Sequence, residues 1–319
     1  MAKCYGKGER GTDMNIGVQN GGLIDYYSAE DTYRMIAEAG FKSVDWNINR
    51  AWDKTEIRAK KLRHCIFEDS LEEIEAYYKE EIDAMKKYGL TPYQAHAPFP
   101  AYVPDFPEFN EYAIDIYKQC IRFCDKVGVK CLVIHGISLA MNDYTQTPES
   151  IEAMNDHLYE SLIPVLKETN VVVCLENLFT RYKDTFVMGH CSDARQAVDA
   201  IDRYNEKAGK ECFGLCLDTG HLNLLGIRPD VYIRTLGSRI KALHTHDNDG
   251  GADAHLAPYT GTIIWKDLIR ALKDVGYSGD IGFETFQQVT LARVDKEVVE
   301  SWLKLIYEIG ETFREKIEG

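Results

Sequence analysis

The segment "CLDTGH", residues 216–221, begins as the end of an apolar strand and finishes on a carboxylate, Asp218, and an imidazole, His221. The same ending recurs along the chain. The runs "TPYQAHA" (91–97), "CLVIHG" (131–136), "VVVCLEN" (171–177), "IKALHTHD" (240–247) and "DIGFETF" (280–286) carry His96, His135, Glu176, His246 and Glu284 at or near their C-terminal ends. With "MNIGVQN" (14–20), "SVDWNI" (43–48) and "FGLCLDT" (213–219) they make eight candidate strands, rich in the β-branched residues that a pleated, half-buried segment favours.

Segments of helical spacing lie between them. "SAEDTYRMIAEAG" (28–40) starts on a serine cap and stops at a glycine, and "SLEEIEAYYKEEIDAMKKYG" (70–89) reads as one helix bounded in the same way. "TIIWKDLIRALKDVGYSG" (262–279) and "KEVVESWLKLIYEIGETFREKI" (296–317) close the chain as helices. Strands alternating with helices eight times predict a parallel (β/α)₈ barrel, one domain over residues 1–319 with 1–13 as a short leading arm. A doubly wound sheet is the competitor. It would put a glycine-rich phosphate turn after the first strand, whereas "NGGLIDYYS" (20–28) lacks the G-x-G-x-x-G spacing.

Composition narrows the function. At 45% hydrophobic, the 319 residues suffice for one large core, and no run approaches the ~20 apolar residues of a membrane span. The net charge of -14 argues against a nucleic-acid partner, because such binding leans on basic surface. The nine cysteines are scattered without a C-x-x-C pair, which reads as buried thiols in a reducing cytoplasm. The mixed-charge stretch 49–70 reads as an extended loop, a lid or a contact surface for a dimer or tetramer. The four-proline stretch "APFPAYVPDFPEFN" (97–110) reads as a stiff aromatic loop.

In such a barrel the C-terminal strand ends converge on one face. His96, His135, Glu176, Asp218, His246 and Glu284 would therefore meet, with His221 just after the sixth strand and Asp253 and His255 in "DNDGGADAHLAP" (247–258). Any of these alone is ordinary: a single buried histidine is usually just hydrogen-bonded. Together, clustered carboxylates repel one another and lose hydration, and a divalent cation removes both costs. Mixed histidine and carboxylate donors suit Mn²⁺, Zn²⁺, Fe²⁺ or Co²⁺ better than Ca²⁺. "HTH" offers His244 and His246 on one strand face, and the residues leave the choice between them open.

The segments "CLENL", "CLDTGH", "ALHTHDND", "DAHLAPYTGTIIW" and "GFETF" resemble the xylose isomerase-like superfamily of sugar (phosphate) isomerases and epimerases, which also holds the endonuclease IV family. The resemblance implies one metal held by Glu176, Asp218, His246 and Glu284, with His221 contacting substrate and His244 one layer deeper. It implies Mn²⁺ first, with Zn²⁺, Co²⁺ or Mg²⁺ as alternatives, and no organic cofactor. The expected reaction is epimerisation or aldose–ketose isomerisation of a small carbohydrate or sugar phosphate, with Glu176 and Glu284 as the acid/base pair and His221 as the third catalytic group.

Trp46, Phe99 and Tyr102 are expected to stack on the sugar and exclude water, with at least one of them packing in the core instead, and Arg181 to contact an anionic group. Two alternatives share the donor set. One is a lyase or dehydratase that starts with the same proton removal, resembling inosose dehydratases or subunits that cleave carbon-linked glycosides. The other is a zinc-dependent phosphodiesterase acting on abasic DNA, for which His96, His135, His221, Asp253 and His255 would be further ligands. A protein that binds metal without catalysis is a fourth, poorer reading. In "LAPYTGTIIW" Tyr259 and Thr260 depart from the family's glycine-rich form, which bears on the substrate mouth.

Overall fold

All eight expected strands form and pair in parallel. The computed structural model describes residues 14–140, 145–290 and 295–319, so the leading arm 1–13 lies outside the described residues. In chain order the strands are β1 (Ile16–Gln19), β2 (Ser43–Asn47), β3 (Thr91–His96), β4 (Cys131–Val133), β5 (Val172–Glu176), β6 (Phe179–Tyr182), β7 (Thr185–Met188), β8 (Phe213–Asp218), β9 (Ile240–His244) and β10 (Ile281–Phe283). The large sheet runs β10-β1-β2-β3-β4-β5-β8-β9. It closes on itself through Thr245 N–H donating to the Gly282 carbonyl at 2.8 Å and Glu284 N–H to the Thr245 carbonyl at 3.2 Å. Helices on the outside complete a (β/α)₈ barrel.

Strands β6 and β7 form an antiparallel hairpin that the sequence reading did not separate from the loop after β5. The segment 70–89 also differs from expectation. It is two helices, Leu71–Tyr77 and Lys79–Tyr88, broken at Tyr78. The break accompanies burial of the Tyr78 ring against Trp46 and Phe123, at centroid distances of 5.2 and 5.3 Å. The loop 49–70 is more ordered than an extended coil and contains a helix, Lys54–Arg58, capped by Asp53.

Side chains two apart on a strand share a face. Val172, Cys174 and Glu176 on β5 therefore line the barrel interior, as do Cys216 and Asp218 on β8 and Ala242 and His244 on β9. The lower layer is small and apolar: Cys131, Val133, Cys174, Cys216 and Ala242 pack as a cluster of their own beneath the polar layer. The described cysteines are free and buried. No helix among the described residues is long and apolar enough to cross a membrane.

One buried carboxylate ties the first two strands to the outer helices. Glu81 accepts hydrogen bonds from Tyr33 Oη at 2.7 Å, Trp46 Nε1 at 2.9 Å and Asn20 Nδ2 at 3.2 Å, and pairs with Arg50. Asn20 in turn accepts from the Asn47 backbone N–H at 2.8 Å, so the ends of β1 and β2 are fixed together. Removing the acceptor takes the carboxylate partner from all four donors and leaves the buried Trp46 Nε1 unpaired. Glu81→Leu is expected to lower the unfolding free energy by about 3 kcal/mol, read as a shift of the urea midpoint at unchanged slope.

Candidate metal centre at the barrel mouth

Asp218 ends β8 and at once caps the next helix: its Oδ1 accepts the backbone N–H of His221 at 2.7 Å. Asn177 holds the same residue by its backbone, accepting from Asp218 N–H at 2.8 Å and donating to the Asp218 carbonyl at 2.9 Å. The intervening glycine has a steric reason. A Cβ on Gly220 would lie 2.0 Å from His246 Cε1, so only glycine lets the His246 ring occupy its place. His246 Nε2 then stands 3.0 Å from both Asp218 oxygens.

The remaining expected ligands converge on this pair. His244 Nδ1 lies 3.5 Å from Glu176 Oε1 and 3.4 Å from Glu284 Oε2, between the two glutamates. Its Nε2 is turned the other way, 3.4 Å from Asp45 Oδ2 on β2. His244 is thus the deeper of the two candidate histidines on its strand, with a carboxylate behind it. Glu284 is further held by Gln19 Nε2 at 2.8 Å.

The outer donors extend the centre on both sides. His135 Nε2 stands 2.9 Å from Glu176 Oε2 and 3.0 Å from His96 Nε2. On the other side Asp253 Oδ2 is 3.0 Å from His255 Nε2 and 3.6 Å from His221 Nε2. Four triads of donors each lie within 4.8 Å: His96–His135–Glu176, His246–His255–Glu284, Glu176–Asp218–His221 and Asp218–His244–Glu284.

Two observations test whether these residues fit a metal. First, three imidazoles are oriented alike. Nδ1 of His96, His221 and His255 donates to the carbonyl of Ala97, Asn177 and Glu284, at 2.8, 2.9 and 3.0 Å. A carbonyl only accepts, so each Nδ1 carries the proton and leaves Nε2 as the free lone-pair donor, turned to His135 in His96 and to Asp253 in His221 and His255, a fixed orientation of the kind that metal-ligating histidines show. Second, Glu176 Oε2, Asp253 Oδ1, His246 Nδ1 and both His244 nitrogens are buried without a hydrogen bond. Glu176 Oε2 and His135 Nε2 are close yet not aligned for one, as two ligands of a shared cation would be.

Electrostatics agree. Burial would lower His221 and His255, but Asp218 and Asp253 raise the first to about 10, and Glu284 and Asp253 raise the second to about 9. His96, by contrast, is pushed down to about 3 by burial and by His135. Without a metal, the carboxylates can be balanced only by protons on neighbouring rings. The donor set fits divalent cations.

The expected substrate contacts are divided. Phe99 lines the cavity of about 890 Å³ above the donors and stacks on His135 with centroids 4.8 Å apart. Trp46 sits in the core, bonded to Glu81, and does not line that cavity. Tyr102 lines a different cavity beside Pro107 and Ile114. Arg181 is exposed on the hairpin, its guanidinium 4.9 Å from the Phe186 ring. Tyr259 is exposed and packs near Trp265, away from the cavity lining.

Among the cavity-lining groups that the sequence reading missed, four stand out. Phe179 on the hairpin meets His221 edge-on at 4.9 Å, and Phe286 covers His255 at 4.3 Å. Lys54 and Arg58 enter from the short helix of the 49–70 loop. Parity along β2 was the available signal for Trp46: Asp45 and Asn47 face inward, so the residue between them faces out.

The chain is 34% identical over 234 residues to an uncharacterized protein of Methanocaldococcus jannaschii, covering 70% of this chain and 73% of that one. It is 27% identical over 190 residues to the D-psicose 3-epimerase of Ruminiclostridium cellulolyticum, covering 57% of this chain and 58% of the relative. It is also 26% identical over 180 residues to a probable endonuclease 4 of Mesoplasma florum, covering 52% and 56%. Among solved structures, the apo 3-keto-D-glucoside 4-epimerase from E. coli superposes with a TM-score of 0.67 at 18% identity, covering 94% of this chain and 100% of that one. Residues 33–305 match the family described as xylose isomerase-like TIM barrel, and that is the family to which this chain belongs.

Proposed function

We propose that the chain is a divalent-metal-dependent isomerase or epimerase that moves a proton on the carbon beside a carbonyl of a small carbohydrate. The observation that carries this is the placing of Glu176 and Glu284 on either side of His244 Nδ1, at 3.5 and 3.4 Å, at the floor of a cavity large enough for a sugar. The epimerases among its relatives and structural neighbours support the same class.

Glu176, Asp218, His246 and Glu284 would hold the ion, which when bound supplies the Lewis acid that so weak a carbon acid requires. The chain's own groups do the rest. Glu176 and Glu284 approach the cavity from β5 and from just after β10, so one carboxylate removes the proton and the other returns one to the opposite face. His221, with Nδ1 fixed on the Asn177 carbonyl, turns Nε2 to a substrate oxygen and orients it. Phe99, Phe179 and Phe286 surround the opening and keep water from the reacting carbon. Manganese is the ion we favour, on the family resemblance of the motifs, with Zn²⁺, Co²⁺ or Mg²⁺ as alternatives.

A second reading has one specific observation behind it. The donors exceed the four that one ion needs, since His96, His135, His221, Asp253 and His255 complete further triads and pairs. That supply suits a centre of several ions hydrolysing a phosphate ester, as the name of the Mesoplasma relative suggests. The net charge of -14 speaks against a duplex DNA substrate. A purified chain that cleaves an abasic duplex and leaves ketoses unexchanged would decide for this reading.

Three outcomes are expected. Glu284→Gln should cut solvent deuterium incorporation into the substrate carbon by roughly a hundredfold or more with the metal retained, as removal of an acid/base group does. Stripping the metal with a chelator should lower the melting temperature by several degrees, restored by added Mn²⁺, because the ion binds only the folded donor set. Gly220→Ala should weaken metal affinity about tenfold or more by displacing the His246 ring, read by competition with a metallochromic dye.

A further inference from the structure

The mouth of the cavity carries two cations that the reaction itself does not use. Lys54 and Arg58 are four residues apart on the helix Lys54–Arg58, and both line the same cavity as His96, Glu176 and Glu284. Neither forms an ion pair or a side-chain hydrogen bond among the described residues, in a chain whose net charge is -14. Nearby cations are otherwise employed: Arg50 pairs with Glu81, and Arg63 with Glu56.

Their helix is anchored on the site. Trp52, just before it, is buried against Phe109 and Tyr117 at centroid distances of 5.3 and 6.1 Å, and its Nε1 donates to the Phe99 carbonyl at 2.9 Å. Lys54 Nζ lies 3.3 Å from the centre of the Phe99 ring, and Phe99 stacks on His135. The ammonium is therefore held over the same aromatic that walls the donor cluster. Burial, with Arg58 beside it, lowers Lys54 to about 8. Lys54 is half-buried and Arg58 exposed, with Glu284 acting on Lys54 from the cavity floor, and an anion between the two cations would relieve their mutual repulsion. Asn47 and Asn49, also in the lining, add neutral donors.

We propose that Lys54 and Arg58 bind the phosphate of a phosphorylated ketose, whose carbonyl end reaches the donor cluster; this rests on the isomerase or epimerase reading above. Charge-assisted contacts from an ammonium and a guanidinium suit a phosphate dianion. The cavity of about 890 Å³ leaves room for more than a free sugar.

The test is calorimetric titration of the metal-loaded protein with D-fructose 6-phosphate, D-fructose and inorganic phosphate. Wild-type protein should bind the sugar phosphate about tenfold or more tighter than fructose. Lys54→Met combined with Arg58→Gln should erase that preference while leaving fructose binding, metal content and melting temperature in place. Lys54→Arg alone should keep the preference. Inorganic phosphate should bind more weakly to the double variant. Equal affinity for the two sugars in the wild type, or an undiminished preference in the double variant, overturns the proposal.

Deuterium incorporation followed on the same samples separates the two readings. Exchange into both sugars with equal affinity rejects the phosphate contact and keeps the isomerase or epimerase. Phosphate preference with no exchange into any ketose rejects the ketose reading instead. Retention of an abasic duplex that is lost in the double variant, with no preference between the sugars, assigns the two cations to nucleic-acid phosphate and overturns the proposal.

Discussion

Charge balance governs this structure. Glu176, Asp218, Asp253 and Glu284 crowd the mouth of the barrel, with Asp45 below them, and all but Asp253 are buried. Water cannot solvate such a cluster, and the rings between them can offset it only by taking up protons. The fold therefore needs countercharge at one place, and everything nearby is arranged around that need. Backbone carbonyls fix three imidazoles by their Nδ1 atoms. Asn177 and Gln19 fix two of the carboxylates. Gly220 clears space for a ring. The parallel barrel makes this economical, since strands distant in sequence deliver their last residues to a common rim.

Much of this was legible from residues alone, for a physical reason. A parallel strand buried on both faces reads as an apolar run, so a charged or imidazole side chain at its end stands out. Six of the eight strands announced a polar donor at the barrel mouth in that way: His96, His135, Glu176, Asp218, His246 and Glu284. The less legible parts lack such contrast. The hairpin β6–β7 alternates too briefly, between β5 and the next helix, to be told from a loop. Tyr78 breaks a segment whose helical spacing runs through it, because tertiary burial of its ring outweighs local preference. Lys54 and Arg58 are hidden in a stretch of mixed charge, where only the packing of Trp52 shows which side chains turn inward.

The aromatic residues teach a narrower lesson. Trp46, Phe99 and Tyr102 are chemically equivalent candidates for a sugar face, yet they end in three different places: the core, the site wall and a separate cavity. What separates them is position relative to the strand end. Trp46 lies within β2 on its outward face, Phe99 follows β3 by three residues, and Tyr102 lies beyond the turn. Strand parity removes Trp46, and the path of the loop after β3, rather than residue type, separates Phe99 from Tyr102.

Glu176 belongs to two donor triads at once, the one with His96 and His135 and the one with Asp218 and His221. Asp218 and Glu284 likewise belong to two triads each, so the four triads are linked through shared carboxylates. Changing any of these three carboxylates disturbs two triads together, so effects measured at neighbouring donors will not sum. The shared carboxylates thus tie strands distant in sequence into one coupled cluster on a single rim of the barrel.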